Sequence, residues 1–307
     1  MDRAETQTPP PEALTVVPLR HYGLWVGTAI TLAILGLILK ALATNPAFDW
    51  PTVGKYLFHP SIIRGLGQTL VLTVTIMVLA IVIGTIVAIM RLSPSRILNA
   101  FASAYIWFFR GAPALIQLIF WFNLALVVRE FSLTLPFIGT LFTVKTNDFM
   151  TPFVAAVIAL SLHEAGYMAE IVRAGINSVA SGQTEAAGSL GMNHRLILRR
   201  ITLPQAMRFI VPPTGNETIN LLKTTSLVTI IAVNDLLYAA QSIYARTFET
   251  IPLLIVVAFW YLFVVTILSI CQHYIEQYYG RSDLQQGASF GDTLKRAFRF
   301  GRVAQPA

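Results

Sequence analysis

Charge is what this sequence lacks. Only 12% of its 307 residues are Asp, Glu, Lys or Arg, while 55% are hydrophobic. A soluble domain carries about 25% charged residues. That composition excludes disorder, collagen and coiled coil, and leaves a chain that crosses a bilayer. Cysteine is nearly absent. Cys271 stands alone, so no disulfide forms within the chain and the redox compartment is unreadable. The five histidines are scattered without metal-ligand spacing, so no metal site is expected. No G-x-x-x-x-G-K-[ST] phosphate loop occurs. Neither a Ser-His-Asp set nor a carboxylate pair stands on a soluble domain. We therefore expect no catalytic residue and no cofactor bound by this chain. If it moves a solute uphill, the energy comes from an ion or a partner.

What is present is a series of apolar runs. About 20 mainly apolar residues cross the hydrocarbon core as a helix. Six runs qualify: 22–42, 66–90, 112–129, 151–172, 211–240 and 251–274. The first could be mistaken for a signal peptide, because Ala41-Leu42-Ala43 resembles a cleavage site. It is longer than an h-region of about 7–15 residues and follows a long leader, so it reads as a retained span. The expectation is an all-α polytopic protein with about six transmembrane helices.

The net charge of +7 suits cytoplasmic loops rather than a nucleic-acid surface. With the N-terminus inside, Arg3, Arg20, Arg91, Arg96, Arg110, Arg173, Arg195, Arg199, Arg200, Arg208, Arg281, Lys295, Arg296, Arg299 and Arg302 fall inside. Only Lys55, Arg64, Arg129, Lys145 and Arg246 fall outside, while Lys40 and Lys223 lie within spans. That asymmetry places both termini in the cytoplasm. The tail 1–21, with Pro9-Pro10-Pro11, reads as disordered. The basic tail 276–307 reads either as a solvated tail or as a segment on the anionic inner leaflet.

The loop 174–204 carries the strongest signal. It reads as two short helices. Gly182 permits a turn before the first, and Glu185 sits near its positive end. Gly191 suits a left-handed cap, Asn193 an N-cap, and Pro204 a stop. Ala186, Ala187, Gly188 and Ser189 offer a smooth surface to another protein.

Glu-Ala-Ala, three residues, Gly, nine residues, then Ile-x-Leu-Pro resembles the EAA loop of type I ABC importer permeases. Glu185, Ala186, Ala187, Gly191, Ile201, Leu203 and Pro204 stand in register, with Arg195 between them. A second set narrows the resemblance: Gly65-Leu66-Gly67-Gln68-Thr69-Leu70, Arg110-Gly111-Ala112-Pro113 before Gln117, Glu170, Arg173-Ala174-Gly175-Ile176 and Leu222-Lys223-Thr224-Thr225-Ser226-Leu227. These residues are similar to the polar amino acid uptake branch, the histidine, arginine, glutamine and glutamate permeases. The similarity covers 65–275, read as a type-1 permease domain. The segment 22–64 departs from the branch as an extra helix and outer segment.

The resemblance implies several partners. They are two ATPase copies that use ATP and dock on the loop, a second permease subunit, identical or homologous, an extracytoplasmic solute-binding protein, and an amino-acid substrate. The location implied is the bacterial inner membrane. An ion-coupled secondary carrier is the alternative, although spans 4–6 show no second copy of the span 2–4 pattern.

Polar residues at membrane depth face a cavity or a partner. At about 100° per residue, Asn216, Glu217, Asn220, Lys223, Thr224, Asn234 and Asp235 share a sector about 120° wide on span five. Pro212-Pro213 would start that helix sharply. Gln117, Asn123, Glu164, Asn220, Lys223, Thr224 and Asp235 are the candidate pathway residues. For Glu164, a substrate site and an interhelical contact, with Lys223 as one partner, stay open. For Glu170 and Arg173 a structural role is favoured.

Overall fold

A computed structural model describes residues 22–135 and 139–280. The N-terminal tail 1–21 and residues 281–307, with the readings placed on them, lie outside the described residues, while 276–280 of the expected C-terminal tail are helical. The chain forms two compact units, divided after Asp49. In the first, helix α1 (Tyr22–Thr44) is 23 residues long. At 1.5 Å per residue that is about 34 Å, enough to cross the core. The Thr31 and Thr44 hydroxyls donate to the carbonyls of Gly27 and Lys40, which satisfies them inside the helix. Asn45 then caps a short 3-10 turn, Pro46–Phe48.

The second unit begins at Trp50, earlier than the boundary at 65 expected from sequence. Helix α2 (Trp50–Leu57) buries Val53 and Tyr56 with Ile62, Leu236, Leu253 and Val256. Trp260 Nε1 donates to Leu57 O at 2.8 Å. The stretch 50–64 thus packs with the helices that follow it.

Helix α3 (Pro60–Leu92) starts on Pro60 with His59 as N-cap and ends before Ser93-Pro94. It packs most extensively on α8 (Pro152–Asn177). Ala80, Gly84 and Ala88, four residues apart and buried, make the contact face. A Cβ at Gly84 would lie 2.6 Å from Met168 Cβ and 2.9 Å from Ala165 O. Lipid is as apolar as leucine, so close backbone approach holds such helices together.

Span three is not the single helix expected over 112–129. Amphipathic α4 (Arg96–Gly111) and short α5 (Ala114–Phe122) meet at 100° across Ala112-Pro113. Proline lacks the N–H that would carry the helix through. One-turn α6 (Leu124–Val127) leads to an antiparallel hairpin, β1 (Glu130–Leu135) and β2 (Gly139–Lys145), then α7 (Thr146–Phe149). The hairpin is an exception to the all-α expectation. Hydropathy averaging over 112–129 hid both the elbow at Ala112-Pro113 and the break at Asn123.

Span five also departs from the expected 211–240 helix. After α9 (Ser181–Ser189) and α10 (His194–Ile197), a π-helix (Leu198–Thr202) runs into α11 (Leu203–Thr224). Pro204 therefore does not stop the helix. The wide π turn, where Leu203 N–H reaches Leu198 O, accommodates its missing donor. Pro212 and Pro213 lie inside α11 rather than at its start. A 3-10 segment (Thr225–Ile231) and left-handed Ala232, at φ 60°, end the rod before α12 (Leu236–Thr247). The final helix is α13 (Thr250–Gly280). Among the described residues, four helices are long and apolar enough to cross a membrane, or up to six if each bent pair counts as one span.

Candidate functional site

The loop hairpin α9–α10 is built around Gly191. Its φ of +80° is left-handed, and its N–H donates to Gly188 O at 2.9 Å. Met192 N–H donates to Ala187 O at 3.2 Å. These two bonds are the Schellman closure, which satisfies the last carbonyls of α9. Asn193 caps α10, its side chain accepting from Leu196 N at 2.9 Å.

Glu185, Ala186 and Arg195 are exposed on this hairpin, as are Leu203 and Pro204 beyond it. Ala187 is buried and Ile201 half-buried, so they pack the hairpin onto its own base. Leu190, at the tip, is 82% exposed. Glu185 stands in the second turn of α9, not the first. The helix-dipole contribution has faded there. An open groove of about 730 Å³ separates the hairpin from the ends of α3 and α8, lined by Leu92, Pro94, Ile176 and Ile197 among others.

The membrane-depth residues separate into two groups. Gln117 is buried, and its Nε2 donates to Phe109 O at 3.0 Å and Ala112 O at 2.8 Å, while lying 3.1 Å from His163 Nδ1. It braces the α4–α5 elbow against α8, beside Tyr105 Oη, which donates to Leu162 O. Asn123 is exposed and caps α5, donating to Ile119 O. Asp235 is fully buried. Its carboxylate accepts from Tyr238 N and Thr229 Oγ1, both at 2.8 Å, as the N-cap of α12. Gln117 and Asp235 thus each hold a helix end, while Gln117 Oε1 and Asp235 Oδ2 are buried without a hydrogen-bond partner. The stripe was projected through a helix that breaks at residue 225, so Asn234 and Asp235 leave it.

The remaining stripe is real. Asn216, Asn220 and Lys223 lie exposed along α11, with Glu217 and Thr224 half-buried beside them. Asn216 Nδ2 donates to Glu276 Oε1 at 3.2 Å, and Thr224 Oγ1 donates to Asn220 O. Glu164 is 6% exposed, and its Oε1 has no hydrogen-bond partner. It forms no ion pair with Lys223. An ion pair joins Arg173 to Glu170 at 2.6 Å. The pair links successive turns of α8. Glu217 belongs to this stripe, as its place on the wheel beside Thr224 implied, although it was not among the candidate pathway residues. Sequence reasoning missed the elbow brace, for which Pro113 was the only sign.

The family described as binding-protein-dependent transport system inner membrane component matches residues 80–280. The chain is 42% identical over 273 residues to the arginine transport system permease protein ArgU of Corynebacterium glutamicum, covering 89% of this chain and 85% of that one. It is 37% identical over 240 residues to the L-cystine transport system permease protein TcyB of Bacillus subtilis, covering 78% and 94%. Among solved structures, a crystal structure of an amino acid ABC transporter with histidines is similar at 32% identity and TM-score 0.62, covering 72% of this chain and 95% of that one. These matches set aside the ion-coupled carrier. The chain belongs to the inner membrane components of binding-protein-dependent transport systems, as a multi-pass permease of the polar amino acid ABC branch.

Proposed function

We propose that this chain forms one half of a membrane pathway for a polar amino acid, driven by ATP that a separate subunit hydrolyses. The observation that carries the reading is the exposed α9–α10 hairpin, closed at Gly191 and joined to α11 through a π turn. Two ATPase copies dock on two such hairpins, one from each permease. The second permease, identical or homologous, faces the exposed stripe Asn216–Asn220–Lys223. A solute-binding protein delivers the amino acid from outside, and both termini face the cytoplasm. The chain itself is not an enzyme.

The mechanism follows from the rod. Closure of the ATPases on ATP pushes the hairpins together. The helix from His194 continues into α11 without a break, so the push reaches Asn220 and Lys223 in the membrane. Hydrolysis then lets the pathway relax inward. The names of the relatives support an amino acid as cargo, arginine for one and cystine for another.

The test is reconstitution with the co-encoded ATPase and binding protein in proteoliposomes. The expected result is amino-acid uptake that requires ATP and the loaded binding protein. Uptake driven by an ion gradient without ATP would overturn the reading.

A further inference from the structure

Helix α13 is held to the rest of the chain in two different ways. In its N-terminal half, Leu253, Val256 and Val257 are buried with Tyr56 of α2 and Leu236 of α12. In its C-terminal half, among the described residues, Gln272 alone is buried, at 5% exposed. An amide is an expensive filler for such a place. Out of water it costs free energy unless its donor and acceptor atoms are all paired, and Gln272 Oε1 has no hydrogen-bond partner.

Gln272 lands where α11 is weakest. Pro212 and Pro213 lack the N–H groups that would bond the carbonyls of Arg208 and Phe209. Gly215 follows them. A Cβ there would lie 1.8 Å from Gln272 Oε1, so the amide fills the space that any other residue would take. Gln272 Nε2 donates to Pro212 O and to Glu276 Oε1, both at 2.8 Å. Asn216 Nδ2 donates to the same Glu276 oxygen. One turn of α13 thus grips α11 on both sides of Gly215. Beside the grip the seam is open, with a pocket of about 590 Å³ lined by Ile219, Val265 and Ser269 among others.

Resting on the transport reading above, we propose that Gln272 is a positioning residue of the coupling path, which makes the C-terminal half of α13 travel with α11. A helix bends where proline interrupts its ladder. A push from the α9–α10 hairpin would fold α11 at Pro212 before it reached Asn220 and Lys223. The grip of Gln272 and Glu276 splints that point with a second helix. In lipid no hydrophobic drive holds an apolar seam closed, so directed hydrogen bonds set the register of the pair.

The experiment uses the complex with its ATPase and binding protein in proteoliposomes. It reads uptake of a labelled mixture of the protein amino acids per ATP hydrolysed. Gln272→Leu fills the same space and removes the orphaned oxygen. Melting temperature and ATP hydrolysis should hold, while uptake per ATP falls about tenfold, the scale of two interhelical hydrogen bonds. Gly215→Ala, which expels the amide from its slot, should fall as far. A short thiol-to-thiol crosslink between Ile219→Cys and Ser269→Cys, which line one pocket, replaces the grip with a covalent one after Cys271 is changed to serine. It should leave transport intact in the otherwise unchanged chain and restore most of it in Gln272→Leu.

Wild-type uptake per ATP in Gln272→Leu and Gly215→Ala overturns the proposal. So does a crosslink that stops transport, because the two helices must then separate. A fall in Gln272→Leu that follows an equal fall in melting temperature, or that the crosslink does not repair, reduces Gln272 to a brace and also overturns it. An unaltered complex that takes up no amino acid with ATP refutes the transport reading, and this inference with it.

Discussion

Helices α3 and α11 cross the same membrane by opposite designs. Helix α3 runs 33 residues with no proline after Pro60 and meets α8 through the small residues Ala80, Gly84 and Ala88. Helix α11 follows a π turn, carries Pro212 and Pro213, and dissolves into a 3-10 segment with left-handed Ala232. Close packing resists relative motion, since interiors at native density do not deform continuously. Irregular backbone at membrane depth is tolerated where it borders protein or a cavity. On the transport proposal above, α3 and α8 are the fixed scaffold and α11, which also packs closely at Gly175 and Gly215, is the element whose irregular backbone lets it move.

Breaking the scaffold should have the largest effect. Gly84→Leu places carbon where Met168 Cβ and the Ala165 carbonyl already sit. Overpacking against backbone cannot relax, and a cost of ~3 kcal/mol is expected. Detergent-purified protein should fall sharply in monodisperse yield. Wild-type yield and melting temperature would show that α3 and α8 can separate.

Gly191→Val comes next, because it strains the turn without touching the scaffold. A β-branched residue at φ +80° costs ~1–3 kcal/mol. Folded yield should hold while ATPase capture in a pull-down drops. Gly191→Asn should keep most capture, since asparagine accepts the left-handed region. Equal loss in both variants would mean that the surface at 191 matters, not its backbone.

Pro204→Ala sharpens the comparison at the π turn. Restoring the N–H lets an ordinary α turn form and rotates the hairpin by about 100° relative to α11. ATP hydrolysis should continue while uptake per ATP falls about tenfold, or ~1.4 kcal/mol of coupling. Undiminished uptake would mean that the π turn transmits nothing. Glu185→Lys should have the smallest effect, a loss of docking of about fivefold, near ~1 kcal/mol, because its charge is exposed and outside the first turn of α9. Titrating ATPase onto the immobilised permease measures it.

The same contrast explains what the sequence could convey. Helix α3 was legible because an uninterrupted apolar run and a uniform helix carry the same signal. Gly191 and Asn193 were legible because local cap chemistry dictates their roles. The breaks were not, because hydropathy reads the composition of 112–129 and 211–240 and not their continuity. Asp235 was misplaced for that reason. A 3.6-residue period carried past Thr225 assigns its side chain to a face that no longer exists, whereas Asp followed by an apolar helix is also an N-cap pattern. Pro204 misled in the other direction. A proline ends a helix only when the preceding turn cannot widen, and here it does.

The central claim is that the α9–α10 hairpin is the ATPase contact, and site-directed crosslinking tests it most directly. Cys271, the chain's one cysteine, is exposed and would be replaced by serine first. Leu190→Cys, at the protruding tip, would then be treated with a short thiol-to-amine crosslinker in the assembled complex. The account predicts a single adduct between this chain and the ATPase, whose yield changes when ATP is added. No adduct with the ATPase in a complex that still hydrolyses ATP, or an adduct with the solute-binding protein instead, would contradict it.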